Sequence, residues 1–183
     1  MNIIDQISRV ALYSQYKSAC SKVISSKDPY SRSTEAGHIT ASGLVIKDDK
    51  ALLIFHPYIK QWFQPGGHID DREDPIEAAI REVFEETGVV CESLNDFLHP
   101  IDIDLHEIPA NPKKGDGAHL HIDLLFVLQM VGERESPEKI EKKVDRLVAL
   151  GEEALLEESQ VAKISSFKYT IPFCCLVLEN DLS

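Results

Sequence analysis

Three glutamates in one short segment hold the strongest chemical signal in this sequence. Glu82, Glu85 and Glu86 fall within residues 66–89, GGHIDDREDPIEAAIREVFEETGV. On a helix, the i+3 and i+4 spacings set Glu82 beside both of the others. The three carboxylates repel one another, at roughly 0.2–0.5 kcal/mol per like-charge pair. They also sit toward the helix C-terminus, where the backbone dipole is already negative. Stability alone would place Lys or Arg there. A hard divalent cation such as Mg²⁺ removes the conflict, because it takes oxygen ligands and leaves room for water and phosphate. Such an ion neutralises charge in phosphoryl-type displacements. A solvated acidic face is the simpler account of E-x-x-E-E taken by itself.

The helix that must carry these groups is well specified. Asp74 is a good N-cap, Pro75 suits the first helical position and Glu77 completes a capping box. Ile76, Ala79, Ile80, Val83 and Phe84 recur at helical spacing, which predicts one buried face with the glutamates opposite. Gly88 suits the position just past the helix end. Arg81, four residues after Glu77, could pair with it along the helix.

The wider segment tips the balance between cation site and solvated face. It matches the pattern G-x5-E-x7-R-E-U-x-E-E-x-G-U at Gly67, Glu73, Arg81, Glu82, Val83, Glu85, Glu86, Gly88 and Val89. This is the Nudix box, and residues 38–160 resemble the MutT-like Nudix hydrolases. The lead-in Trp62-Phe63-Gln64-Pro65 is also similar to the family's, with Gln64 in place of the usual apolar residue.

The resemblance implies an α/β fold, an α/β/α sandwich around a mixed sheet. It implies hydrolysis of the diphosphate linkage in a nucleoside diphosphate joined to another moiety, of the nucleoside triphosphate or nucleotide-sugar class. It also implies Mg²⁺, or Mn²⁺, as cofactor. Carried over residue by residue, Gly67 (through its carbonyl), Glu82, Glu85 and Glu86 look like the metal set. Glu82 resembles the residue that acts as, or orients, the base. Arg81 and Glu73 resemble the pair that orients the catalytic helix. The second base varies in position within the family; Glu133 is the leading candidate, with Glu135, Asp116 and Glu107 as alternatives. A nucleotide-sensing module on the same fold is the competing reading, but such modules usually lose box carboxylates and this chain keeps them all. The isomerase branch of the fold is disfavoured because no cysteine lies between Cys20 and Cys91.

Histidines form a second pattern. His119, His121 and Asp123 share one face of a strand, and His38 and His106 fall on segments that could neighbour it. Imidazole can ligate Zn²⁺ or, when protonated, bind phosphate. The preferred reading makes His119 and His121 polar lining of a substrate pocket; zinc ligation and plain structural hydrogen bonding are the other two. Trp62 could stack a base, and Lys113, with Lys114, Arg72 and Lys60, could attract phosphates.

Around these residues the chain divides into residues 1–34, a helical extension, and 35–183, the catalytic domain. Ile3, Ile4, Ile7, Val10 and Ala11 make a helical stripe that would dock on the main domain or on a second copy, so a homodimer is plausible. Short strands start near His38. Residues 44–46 and 51–55 flank the polar turn Lys47–Lys50, a hairpin signal. Residues 101–106 and 119–124 alternate as strands, separated by a Pro-, Gly- and Lys-rich loop over 109–117. An edge strand is expected over 144–150, a short acidic helix over 151–159 and a final helix or strand over 161–179.

The bulk properties agree. The chain has 183 residues and 43% hydrophobic residues, enough for one core. Its formal charge of −12 disfavours nucleic-acid backbones but not a small phosphorylated ligand beside a cation. Four cysteines without a CxxC pair give neither a disulfide framework nor a cysteine zinc site, which fits the cytoplasm. No apolar run is long enough to span a bilayer, and no membrane partner is expected.

Overall fold

A computed structural model describes residues 6–7, 13–47, 50–56, 61–94, 98–110, 117–135 and 144–149. Its elements are α1 (Tyr13–Ile24), β1 (Gly37–Lys47), β2 (Lys50–His56), β3 (Gln61–Phe63), β4 (Gly66–His68), α2 (Pro75–Thr87), β5 (Val89–Ser93), β6 (Asp102–Ile108), β7 (His119–Glu133) and β8 (Val144–Ala149). Together the strands make one mixed sheet, and with the helices they give the α/β architecture expected.

The sheet is organised by two long central strands. β1 and β7 run parallel, from Gly37↔Leu120 to Ile46↔Gln129. On the far side of β1 lie β2, which continues to β3 and β8, and β4, which pairs across Thr40↔His68 and Ala41↔Gly67. On the far side of β7 lie β6 and β5, both antiparallel to it. The anticipated hairpin is present, with Lys47 opposite Lys50. The 144–150 strand is β8, antiparallel to β2. Lys113, Lys114, Asp116 and Lys60, and the elements expected over 151–159 and 161–179, lie outside the described residues.

Side-chain alternation sorts the sheet into two faces. Ile39, Ala41 and Val45 of β1 and Ile122, Leu124, Phe126 and Leu128 of β7 join Ile76, Ala79 and Val83 of α2 in the main core. Cys20 and Val23 are in the same cluster, as is Ile7 ahead of the helix, so α1 docks on the sheet. Full burial of such side chains stabilises by roughly 1.5–3 kcal/mol each. The residues between them in sequence, His38, Thr40 and Ser42 on β1 and His119, His121 and Asp123 on β7, point to the other face. That face also has a smaller apolar cluster of Leu44, Ala51, Leu125 and Val127.

Candidate active site

α2 begins and ends as its sequence dictates. The Asp74 side chain accepts from the Ile76 amide at 3.2 Å, and the Glu77 side chain accepts from the Asp74 amide. Gly88 ends the helix in the left-handed conformation, φ 75°, and its N–H donates to the Phe84 carbonyl. One expectation needs correcting. Ile80 and Phe84 are only half-buried, whereas Ala78 and Glu86 are buried. The helix is rolled so that Glu86, expected on the outer side, is 6% exposed. Its Oε2 accepts from the Gly66 amide at 3.1 Å, so β4 receives the carboxylate as the helix seats.

Arg81 ties the carboxylates together. Its Nε donates to Glu73 Oε1 at 2.8 Å and its Nη2 to Glu73 Oε2 at 2.9 Å, a bidentate pair. Nη1 donates to Glu82 and to Glu85, both at 2.9 Å, and Nη2 also reaches the His68 carbonyl at 2.8 Å. Pairing with Glu77, the alternative weighed from the sequence, is not what forms, because Glu77 is turned to its capping role. The Glu73 hydrogen bond, more than any other contact, holds the guanidinium proton; in return Arg81 keeps Glu73 below the usual carboxylate range. Glu82 goes the other way. Burial raises its pKa, and the charges of Glu86 and Glu85 add to this, against the opposing pull of Arg81.

Three glutamates, Glu73, Glu82 and Glu85, thus bond one guanidinium, with Asp70 3.8 Å from its Nε, while buried Glu86 on the same helix is held by the Gly66 amide. Gly67 completes the arrangement, since a Cβ there would lie 2.6 Å from the Glu82 carboxylate. Only a residue without a side chain leaves the strand and the carboxylate in each other's company. The donor set offered is oxygen throughout, the type that Mg²⁺ and Mn²⁺ take. Excess buried negative charge and hard donors together fit such an ion.

The other predicted residues fall in several places. Glu133 ends β7 opposite Val89, beside the C-terminal end of α2, and is exposed. Glu135 and Glu107 are exposed as well. Trp62 is half-buried on β3, opposite Phe55. Arg72 is exposed in a turn and pairs with Asp71.

The histidines converge. In the strand register His38 stands beside His121, and His121 beside His106. The His38 ring centroid is 4.6 Å from His121, 5.2 Å from His119 and 5.0 Å from His68. His68 was the member that sequence reasoning missed: it belongs to the box segment, and only the Thr40↔His68 pairing carries it to this face. Both ring nitrogens of His38, and Nε2 of His121, are buried without a hydrogen-bond partner. Each such buried polar atom costs about 1–3 kcal/mol. Burial and the neighbouring imidazoles lower the His38 pKa to about 4 and that of His121 to about 2. His106 differs. Burial lowers its pKa, but its Nδ1 contact with Asp104 at 2.7 Å and the charge of Asp123 outweigh this and leave it raised. One row along, Asp123 accepts from Thr40 at 2.8 Å and from Ser42. Burial raises the pKa of Asp123 despite those two donors.

The chain is similar to known proteins. The model of the NUDIX domain family matches residues 37–170. A Lactococcus lactis protein named "Probable DHNTP pyrophosphohydrolase" is 39% identical over 92 residues, 50% of this chain and 54% of the relative. An ADP-ribose pyrophosphatase of Methanocaldococcus jannaschii is 29% identical over 97 residues, 51% of this chain and 52% of the relative. This chain therefore spans about half the length of the curated relatives it matches. Among solved structures, a NUDIX-family hydrolase of Clostridium perfringens is 26% identical, with 62% of this chain and 89% of that one covered at a TM-score of 0.47.

Proposed function

This chain belongs to the NUDIX domain family, and on that premise we propose that it is a metal-dependent pyrophosphohydrolase. Its substrate is a nucleoside diphosphate linked to another moiety, of the nucleoside triphosphate or nucleotide-sugar class. The pyrophosphohydrolase and pyrophosphatase names of the Lactococcus and Methanocaldococcus relatives support the reaction class. The observation that carries the reading is the gathering of Glu73, Glu82 and Glu85 about Arg81, with Glu82 against the backbone of Gly67 and Glu86 held on the neighbouring Gly66 amide.

In this reading Glu82, Glu85, Glu86 and the Gly67 carbonyl hold Mg²⁺ or Mn²⁺. The ion supplies charge neutralisation to the diphosphate and acidity to a water. The rest is the work of the chain. Arg81, fixed by the Glu73 bidentate pair, aims Glu82 and Glu85 and anchors the helix to β4 through the His68 carbonyl. Glu82, with its raised pKa, is the group suited to take a proton from the attacking water. Glu133, at the C-terminal end of α2, is the second base of this proposal. Hydrolysis needs no covalent intermediate on the chain. Trp62, His119, His121 and Lys113 are assigned to substrate binding.

The test is incubation of the full chain with Mg²⁺ or Mn²⁺ and a panel of dNTPs, ADP-ribose, nucleotide sugars and dinucleoside polyphosphates, with products identified by mass spectrometry. Metal-dependent cleavage at the diphosphate, lost in Glu85→Gln, is the expected result. Nucleotide binding without cleavage of any member would replace this reading with that of a sensor.

A further inference from the structure

The histidine face offers a second site whose chemistry differs from that of the carboxylates. We propose that His38, His119 and His121 bind a borderline-soft transition-metal ion, of which Zn²⁺ is the type, separately from the ion held on α2. One ligand atom from each of the three rings lies within 4.8 Å of the other two. Tetrahedral zinc, with Zn–N near 2.0–2.1 Å, needs its nitrogens roughly 3.3 Å apart. The three residues share one face of paired strands, so the difference is one of ring placement on a common surface.

Three further observations point to a ligand. The buried nitrogens of His38 and Nε2 of His121 have no hydrogen-bond partner, so a metal would use lone pairs that nothing else does. His119 Nδ1 lies 2.8 Å from the Gly117 carbonyl. Donation to that carbonyl fixes the tautomer and leaves Nε2 as the lone-pair nitrogen, the arrangement that orients metal-binding imidazoles. The third is the neighbourhood: the His68 ring lies 5.7 Å from His121 and the His106 ring 5.5 Å, the latter in contact with Asp104. These groups can furnish a fourth ligand or outer hydrogen bonds.

Ligand type separates this site from that of α2. Imidazole nitrogen suits Zn²⁺, Co²⁺, Ni²⁺ or Cu²⁺, whereas Mg²⁺ takes oxygen. Three protein ligands with an open position can admit a water or an anionic oxygen of a bound molecule, so His119 and His121 would meet the substrate through the ion and not directly. His68 connects the two regions physically: its carbonyl is held by Arg81, while its ring stands against His38.

The probe is Co²⁺ alone, titrated into chelator-treated full-length protein in a large excess of Mg²⁺, with the visible spectrum as readout and Zn²⁺ displacement as the competition. One equivalent of Co²⁺ with the intense bands of low coordination is expected, displaced by Zn²⁺ and retained in Glu85→Gln and Glu86→Gln. In His119→Asn and His121→Asn, checked for folding by circular dichroism, binding should be weaker by at least about a hundredfold. His119 is partly exposed, so its substitution leaves the core untouched. The proposal is overturned if no equivalent binds, if binding is unchanged in both folded histidine variants, or if the glutamine variants abolish it. None of these readouts involves turnover, so they stand or fall separately from the pyrophosphohydrolase reading.

Discussion

Gly67→Ala isolates the geometry of the site from the stability of the fold. The added Cβ would lie 2.6 Å from Cδ and Oε1 of Glu82 and 2.7 Å from Oε2, where ordinary contact begins at 3.4 Å. The carboxylate must therefore withdraw by about 0.8 Å, the difference between 3.4 and 2.6 Å. It does so against the hold of Arg81 Nη1 on Oε1. Displacements of about 1 Å in a catalytic group lower rates about a hundredfold, equivalent to about 2.7 kcal/mol of barrier. The clash is with the end of a side chain, so the strand itself is undisturbed and the melting temperature should change little. Gly66→Ala is the control in the opposite sense: its Cβ would meet Ser42 Cβ at 2.5 Å and the Ala41 carbonyl oxygen at 2.7 Å. Those atoms cannot swing away, and overpacking of this kind costs about 1–3 kcal/mol of stability. The assay is metal-dependent turnover of the best substrate from the panel, paired with thermal unfolding of each variant. A folded Gly67→Ala protein with turnover within about threefold of wild type would refute the placing of Glu82 against Gly67 as a catalytic necessity.

Other substitutions probe the same region. Glu85→Gln or Glu86→Gln should lower turnover at least about a hundredfold with the fold intact, and near-wild-type rates in both would remove α2 from the chemistry. Arg81→Ala leaves Glu73 and Glu82, whose side chains are 14% and 16% exposed, without their partner. Because Arg81 is itself 25% exposed, the loss should be about 2–3 kcal/mol in urea unfolding, below the range for fully buried pairs; Arg81→Lys should recover only part of it. The histidine face predicts a pH dependence in chelator-treated protein. The folded pKa of His38, about 4, lies below its ordinary 6.5, so protonation favours the unfolded chain. Stability is therefore full above about pH 6.5 and falls as the pH drops toward 4, by about 2 kcal/mol at pH 5 from His38 alone. Urea midpoints at pH 7 and pH 5 measure this, and a flat profile would show that His38 is not held neutral by the fold.

Much of this was legible in the sequence because the relevant signals are local. Asp74, Pro75, Glu77 and Gly88 bound α2 correctly, since caps act through the backbone within a few residues. The alternation of 101–106 and 119–124 predicts two strands, with His106 able to neighbour the 119–123 face, and His106↔His121 realises it. The short strands β3 and β4 went unread, because three residues are too few to show a period. The roll of α2 that buries Glu86 was also beyond reach: it depends on the Gly66 amide, a partner 20 residues away. His68 escaped notice for a similar reason. It lies inside the box pattern as a variable position, and only long-range strand pairing gives it neighbours.

The parallel ladder of β1 and β7 has a consequence for how the molecule is made. Partners along it, from 37 with 120 to 46 with 129, are 83 positions apart. Closing so long a loop carries an entropic penalty that local hairpins such as β1–β2 do not face. Non-local pairing of this kind slows folding. The central ladder, and with it the meeting of His38 with His119 and His121, is expected after α2 and the β1–β2 hairpin have formed. A ribosome-bound chain ending before residue 119 contains every residue of the carboxylate centre on α2, yet lacks the strand that completes the sheet beneath it.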